Sequence, residues 1–278
     1  MLSKLLKYDL KPIYKIALAF GLPIILCALL LNLTSYDYVE VHNDDGHIID
    51  LVPAAPPVVQ FLHTLFYDFT GILGIALILF MVLNTWKNFR HSFYSDTAYL
   101  THTLPVSRQT LWTSKFLSAI IASGIIVIIL AVACYILQAT PGGRGVASCF
   151  GWAYDAPSAY YPMLMLNTFV ALSFVTTGGL TSIILGYSMR KHQTGFSIIW
   201  GIVLLLSALI IIEFISELCG VDQISLINFL GITNHVSNFS NIGYVINSIL
   251  GWIIIYCAAL AIFYYIGNQR LKRGINLE

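Results

Sequence analysis

Charge is what this sequence has least of. Only 10% of its 278 residues are charged, against about 25% in a soluble chain. Hydrophobic residues make up 58%, and the mean hydropathy is +0.81. No single core in a chain of this length encloses so much apolar side chain, so much of the surface faces lipid. Net charge is +1, so no field of one sign draws in nucleic acid, which is excluded as a partner. Low-complexity tracts are absent, and so is any period of 20–50 residues that would indicate a solenoid. No C-x-x-C pair exists among the five cysteines, which excludes zinc ribbons and thioredoxin-like chemistry. Cys27, Cys134 and Cys257 lie in apolar runs and read as small core residues. Cys149 and Cys219 fall in loops, and the sequence leaves open whether they pair. The first apolar run, from Ile13, is too long for a signal peptide and has no A-x-A site after it. It reads as a retained span.

Catalytic and nucleotide motifs are missing too. There is no G-x-x-x-x-G-K-[ST], so the chain does not hold ATP by a P-loop. TPGGRG (140–145) lacks the lysine, and TTGGLTS (176–182) lies inside an apolar run, where small residues let helices approach closely. Neither a G-x-S-x-G nucleophile elbow nor an H-E-x-x-H zinc helix is present. The expectation is a chain that is not an enzyme and carries no cofactor or metal.

What is present is a set of six apolar runs long enough to cross about 30 Å of hydrocarbon. They lie at 13–33, 61–83, 116–138, 162–187, 197–215 and 245–267. None has the period-2 alternation of a barrel strand, so the expected fold is an all-α polytopic membrane protein, a single transmembrane domain over 1–278. The connecting segments are 34–60, 84–115, 139–161, 188–196 and 216–244. Charge sorts them. Lys4, Lys7, Lys11 and Lys15 precede span 1. Lys87, Arg90, Arg108 and Lys115 lie between spans 2 and 3, Arg190 and Lys191 between spans 4 and 5, and Arg270, Lys272 and Arg273 after span 6. Thirteen of the 14 cations thus fall on one face, with only Arg144 opposite. The positive-inside rule makes that face cytoplasmic, with both termini inside. The opposite loops are acidic, carrying Asp37, Glu40, Asp44, Asp45, Asp50, Asp155, Glu217 and Asp222.

The opening segment LSKLLKYDLKPIYK alternates apolar Leu2, Leu5, Leu6, Tyr8 and Ile13 with Lys4, Lys7 and Lys11. That spacing suits a short amphipathic helix in the interface, with Pro12 turning the chain into span 1; the plainer reading is a cationic flank. Ionisable residues within spans are costly and are functional candidates by default. They are His63 and Asp68 in span 2 and Glu213 in span 5, as pathway or gating residues. All three lie near an interface, so reaching out to water is the competing reading. His42 and His47 sit among carboxylates in a solvated loop. Trp152, Tyr154, Tyr160 and Tyr161 read as an interfacial aromatic belt.

The segment NTWKNFRHSFYSDTAYLTHTLPVSRQTLWTSK (84–115) is neither span nor plain linker. Trp86 and Phe89 anchor the exit of span 2 at the interface. Ser95 or Asp96 can cap a short helix over 97–103, which Pro105 ends. Ser107 then caps a helix with Gln109 and Thr110 in its first turn, running through Lys115 into span 3. A small exposed helix with apolar residues suits docking into a partner's groove, while an interfacial hairpin is the alternative.

YLTHTLPVSRQTLWTSK resembles the cytoplasmic signature of bacterial ABC-2 type transporter permeases. Tyr99, Leu100, Thr103, Leu104, Pro105, Val106, Ser107, Leu111, Ser114 and Lys115 carry the resemblance. KLLKYDLK resembles the family's N-terminal elbow helix and the closing NLE its tail. Asp96 stands where the family often has a denser acidic pair. The resemblance implies a coupling helix at 95–110 that seats in a separate ABC ATPase subunit, where ATP and Mg would bind. It also implies a second permease subunit, identical or a sister chain, export as the direction, and a bacterial plasma membrane. A sensor or assembly subunit, and less so a membrane-embedded enzyme acting on lipid or peptide, are the alternatives.

Overall fold

The computed structural model describes residues 2–34, 38–42, 48–53, 56–94, 107–138, 160–188, 193–218 and 242–272. Six long helices account for most of them. These are α1 (Leu2–Leu33), α2 (Pro57–Tyr94), α3 (Arg108–Gln138), α4 (Tyr160–Tyr187), α5 (Gln193–Leu218) and α6 (Ile242–Lys272). Each expected span lies inside one of them. Five helices are long and apolar enough to cross a membrane; in α5 the apolar stretch among the described residues is the shorter Gln193–Ser207.

The helices overrun the expected spans unevenly. α1 begins eleven residues early, α2 ends eleven residues late, and α3 begins eight residues early. At 1.5 Å per residue these overruns project roughly 12–17 Å. All three lie at the end of the bundle where α1 begins and α6 ends, because Leu5 and Leu271 pack into the same cluster as Phe89 and Trp112. The segment 84–115 is therefore mostly helix, and the connection between α2 and α3 shortens to 95–107.

Two expectations need correction. α1 is one helix of 32 residues with Pro12 inside it, so the amphipathic opening is not a separate element ended by that proline. Proline removes one hydrogen bond, to the carbonyl four residues back, a loss that membrane helices tolerate. In the segment 34–60, β1 (Tyr38–His42) and β2 (Ile48–Pro53) form an antiparallel hairpin, with an irregularity between Val41 and His42. Its β-branched runs flank an Asp45-Gly46 pair, a hairpin signal in the sequence.

The packing divides into two helical groups, α1 with α2 and α3, and α4 with α5 and α6, joined where α3 meets α4. α4 is the axis: 89% of its apolar window is buried, against 28% in α1 and in α2 and 22% in α6. Most of its buried hydroxyls are satisfied locally, Ser173 Oγ being the exception among the described residues. Thr177 donates to the Ser173 carbonyl at 2.7 Å, Thr181 to that of Gly178 at 2.8 Å, and Ser182 to that of Gly179 at 2.7 Å. Such back-bonding lets a polar stripe lie in a dry core. The small residues of TTGGLTS act as expected. A Cβ on Gly179 would collide with the Trp86 indole, and one on Gly186 with the Ser197 backbone of α5. Of the cysteines, Cys134 is buried, Cys27 is half-buried and Cys257 is exposed, so Cys257 is not a core residue.

Candidate functional site

Ser107 starts α3. Its hydroxyl accepts from the Thr110 N–H at 3.2 Å, and its carbonyl accepts from the Leu111 N–H at 3.2 Å. This is the N-cap that the sequence indicates, and it fixes where 95–107 joins α3. Two turns on, Lys115 Nζ donates to Asp9 Oδ1 of α1 at 2.6 Å and to Ser92 Oγ of α2 at 2.9 Å. Ser114 Oγ donates to the other carboxylate oxygen of Asp9 at 3.0 Å. The paired side chains are only 13% and 16% exposed, so little water screens them. Three helices are thereby tied at one point. The cluster borders a cavity of about 200 Å³ lined also by Thr85, Asn88 and His91.

A second layer is aromatic. Trp112 is fully buried; its Nε1 donates to the Tyr264 carbonyl of α6 at 3.2 Å. Its ring fills a notch that only Gly267 leaves open, since a Cβ there would meet the indole. Phe89 and Phe93 stack at 4.8 Å, and Trp112 meets Phe89 edge-on at 5.9 Å. Tyr94, the last residue of α2, stacks on Tyr187, the last of α4, at 4.1 Å. Trp86 donates to the Thr176 carbonyl at 2.9 Å. Trp86 and Phe89 thus lie between helices and do not anchor α2 in a lipid interface: the small residues of α4 open room for the indole, and Phe89 is buried.

The connection 95–107 is consequently rooted at both ends. Tyr94 binds it to α4; Trp112, Ser114 and Lys115 bind it to α6 and α1. A displacement of the connection reaches α1, α4 and α6 through packed, hydrogen-bonded contacts. Asp9 was not singled out in the sequence, although a lone acid among Lys4, Lys7 and Lys11 was a signal; nothing in the sequence marked Ser92.

Of the expected site residues, Asp96, Tyr99, Leu100, Thr103, Leu104, Pro105 and Val106 lie outside the described residues, as do Cys149, Cys219, Trp152 and Tyr154. His63 is buried on α2 and Asp68 is exposed on its other side, so the structure does not bring them together. Glu213 is in α5, with its side chain outside the described residues.

A helical bundle with several membrane-length apolar helices defines a multi-pass membrane protein. Residues 49–144 match the family model described as ABC-2 family transporter protein, which bears out the resemblance read from 99–115. The match covers about a third of the chain and includes α2, the connection and α3. No curated protein and no solved structure matches the chain.

Proposed function

We propose that this chain is the membrane-spanning permease subunit of an ABC transporter, working as an exporter. Two such subunits, identical or sister chains, form the pathway. ABC ATPase subunits dock on 95–110, and ATP and Mg bind there and not in this chain. The observation that carries the reading is the family match centred on a connection whose two ends are locked into the bundle. A docked ATPase moving that connection moves α1, α4 and α6 with α2 and α3. By linkage, the ATPase can shift the bundle only by its difference in docking energy between the two states. The thirteen cations sorted to one face support cytoplasmic termini, and the family resemblance implies a bacterial plasma membrane.

The test is a mild-detergent pull-down from native membranes, wild type against Leu104→Asp. A P-loop ATPase should co-purify with wild type and be lost from the variant. Wild-type protein that elutes as a folded species without any ATPase would remove the reading's support.

A further inference from the structure

The exposed stripes of α1 and α2 differ in one respect. On α1 the stripe is Tyr14, Leu18, Leu22, Leu26, Leu29 and Leu33, apolar throughout apart from one phenol. On α2 it is Phe61, Thr64, Asp68, Ile72, Ile75 and Leu79, at the same helical spacing. The α1 stripe suits acyl chains. The α2 stripe places a carboxylate between exposed apolar residues on both sides, with Phe61 two turns before it and Ile72 and Ile75 after it. Asp68 is therefore not the last residue of an apolar surface. A charged group in such a position faces water or a partner. Beside it, Gly71 leaves open space: a Cβ there would meet nothing within 4 Å.

We propose that this face of α2 lines the translocation pathway and that Asp68 receives the cationic group of an amphiphilic substrate. The inference rests on the permease reading above and names its substrate class. Charge complementarity selects the occupant. Two copies meeting on this face by two-fold symmetry would bring two Asp68 carboxylates together, which is repulsive. A cation relieves the carboxylate. Phe61 and Phe69, 67% and 53% exposed, offer apolar area to the rest of the molecule. Thr64 lies one turn before Asp68 and already donates to the Gln60 carbonyl at 3.0 Å, leaving its lone pairs for a donor on the substrate.

The experiment compares tetraphenylphosphonium with tetraphenylborate, ions of nearly the same shape and opposite charge. Equilibrium binding is measured on the full chain in nanodiscs, with empty-disc binding subtracted. Wild type should bind tetraphenylphosphonium about tenfold more tightly than Asp68→Asn, following the loss of one close charge pair. Asp68→Glu should retain most of the binding, Phe61→Ala should weaken it severalfold, and tetraphenylborate should show no such loss. Equal tetraphenylphosphonium binding by wild type and Asp68→Asn overturns the proposal, as does no binding by wild type or an equal loss for both ions. A change of oligomeric mass in Asp68→Asn without a change in ion binding assigns the face to a subunit contact and overturns it too. ATPase co-purification from the same preparations reads the permease assignment separately: Asp68→Asn should keep the ATPase, whichever way the ion binding falls.

Discussion

The two ends of the bundle are built differently. At the end where α1 begins and α6 ends, helices are joined by the ion pair of Asp9 with Lys115, by the Trp112 and Trp86 indoles in glycine notches, and by stacked rings. At the other end Asn32 Nδ2 of α1 donates to the Ile136 carbonyl of α3 at 3.1 Å. Beside it α1 and α3 pack through an apolar cluster that includes Ile24, Leu31 and Leu137. Directional bonds and notched rings resist sliding, and smooth aliphatic contacts allow it. The permease proposed above, driven from one face, would use this asymmetry: a stiff end to take the push and a looser end to open.

The comparison can be broken most forcefully at Lys115. Lys115→Ala leaves Asp9 mostly buried and unpaired, a loss of about 3–5 kcal/mol. The check is a fall in apparent melting temperature in detergent, with Asp9→Asn combined with Lys115→Met expected to melt higher than Lys115→Ala alone. Gly186→Ala comes next. Its methyl would strike the Ser197 backbone, which cannot rotate away, so overpacking costs roughly 1–3 kcal/mol and α5 must shift. Disulfide trapping between α4 and α5 cysteines introduced near that crossing should lose efficiency. Ser107→Ala removes the α3 cap and should cost about 1 kcal/mol. If the connection is a coupling element, the same variant lowers substrate-stimulated ATPase activity more than it lowers stability. The smallest effect is expected at the loose end. Asn32→Leu should cost about 0.6 kcal/mol, the average for a hydrogen bond between membrane helices, and should leave ATPase co-purification unchanged. An Asn32 variant as damaging as the Lys115 variant would erase the contrast between the two ends.

Much of the architecture was legible without coordinates. Hydropathy runs placed six spans, each found inside a helix, because in lipid a backbone can satisfy its polar groups only within the helix itself. Ser107 was readable as a cap, since the hydroxyl, the spacing to Thr110 and the following apolar run are all local. TTGGLTS was readable as a close-approach segment for the same reason. What local signals missed was where polar helix stops. Residues 84–94 and 2–12 lack the apolar length of a span, so they read as linker and elbow. They are helical because Phe89, Phe93 and Leu5 pack into the cluster around Trp112, a contact between segments far apart in sequence. The hairpin in 34–60 was passed over because the acidic residues drew the reading towards a solvated loop, although Val39, Val41, Ile48 and Ile49 favour strand.

By itself the sequence determined that the chain lives in a bilayer, how many times its apolar runs can cross, which face holds the cations and which segment resembles a coupling element. These follow from composition and local pattern, since lipid acts on each segment independently. Tertiary structure alone decided which helix is the buried axis, which acid pairs with Lys115, and that Asp68 faces outward while His63 faces in. Those depend on which faces meet, and helices of nearly uniform hydrophobicity carry little one-dimensional record of that. The record lies in steric fit: a glycine notch for an indole, and a carboxylate within reach of a lysine more than a hundred residues away.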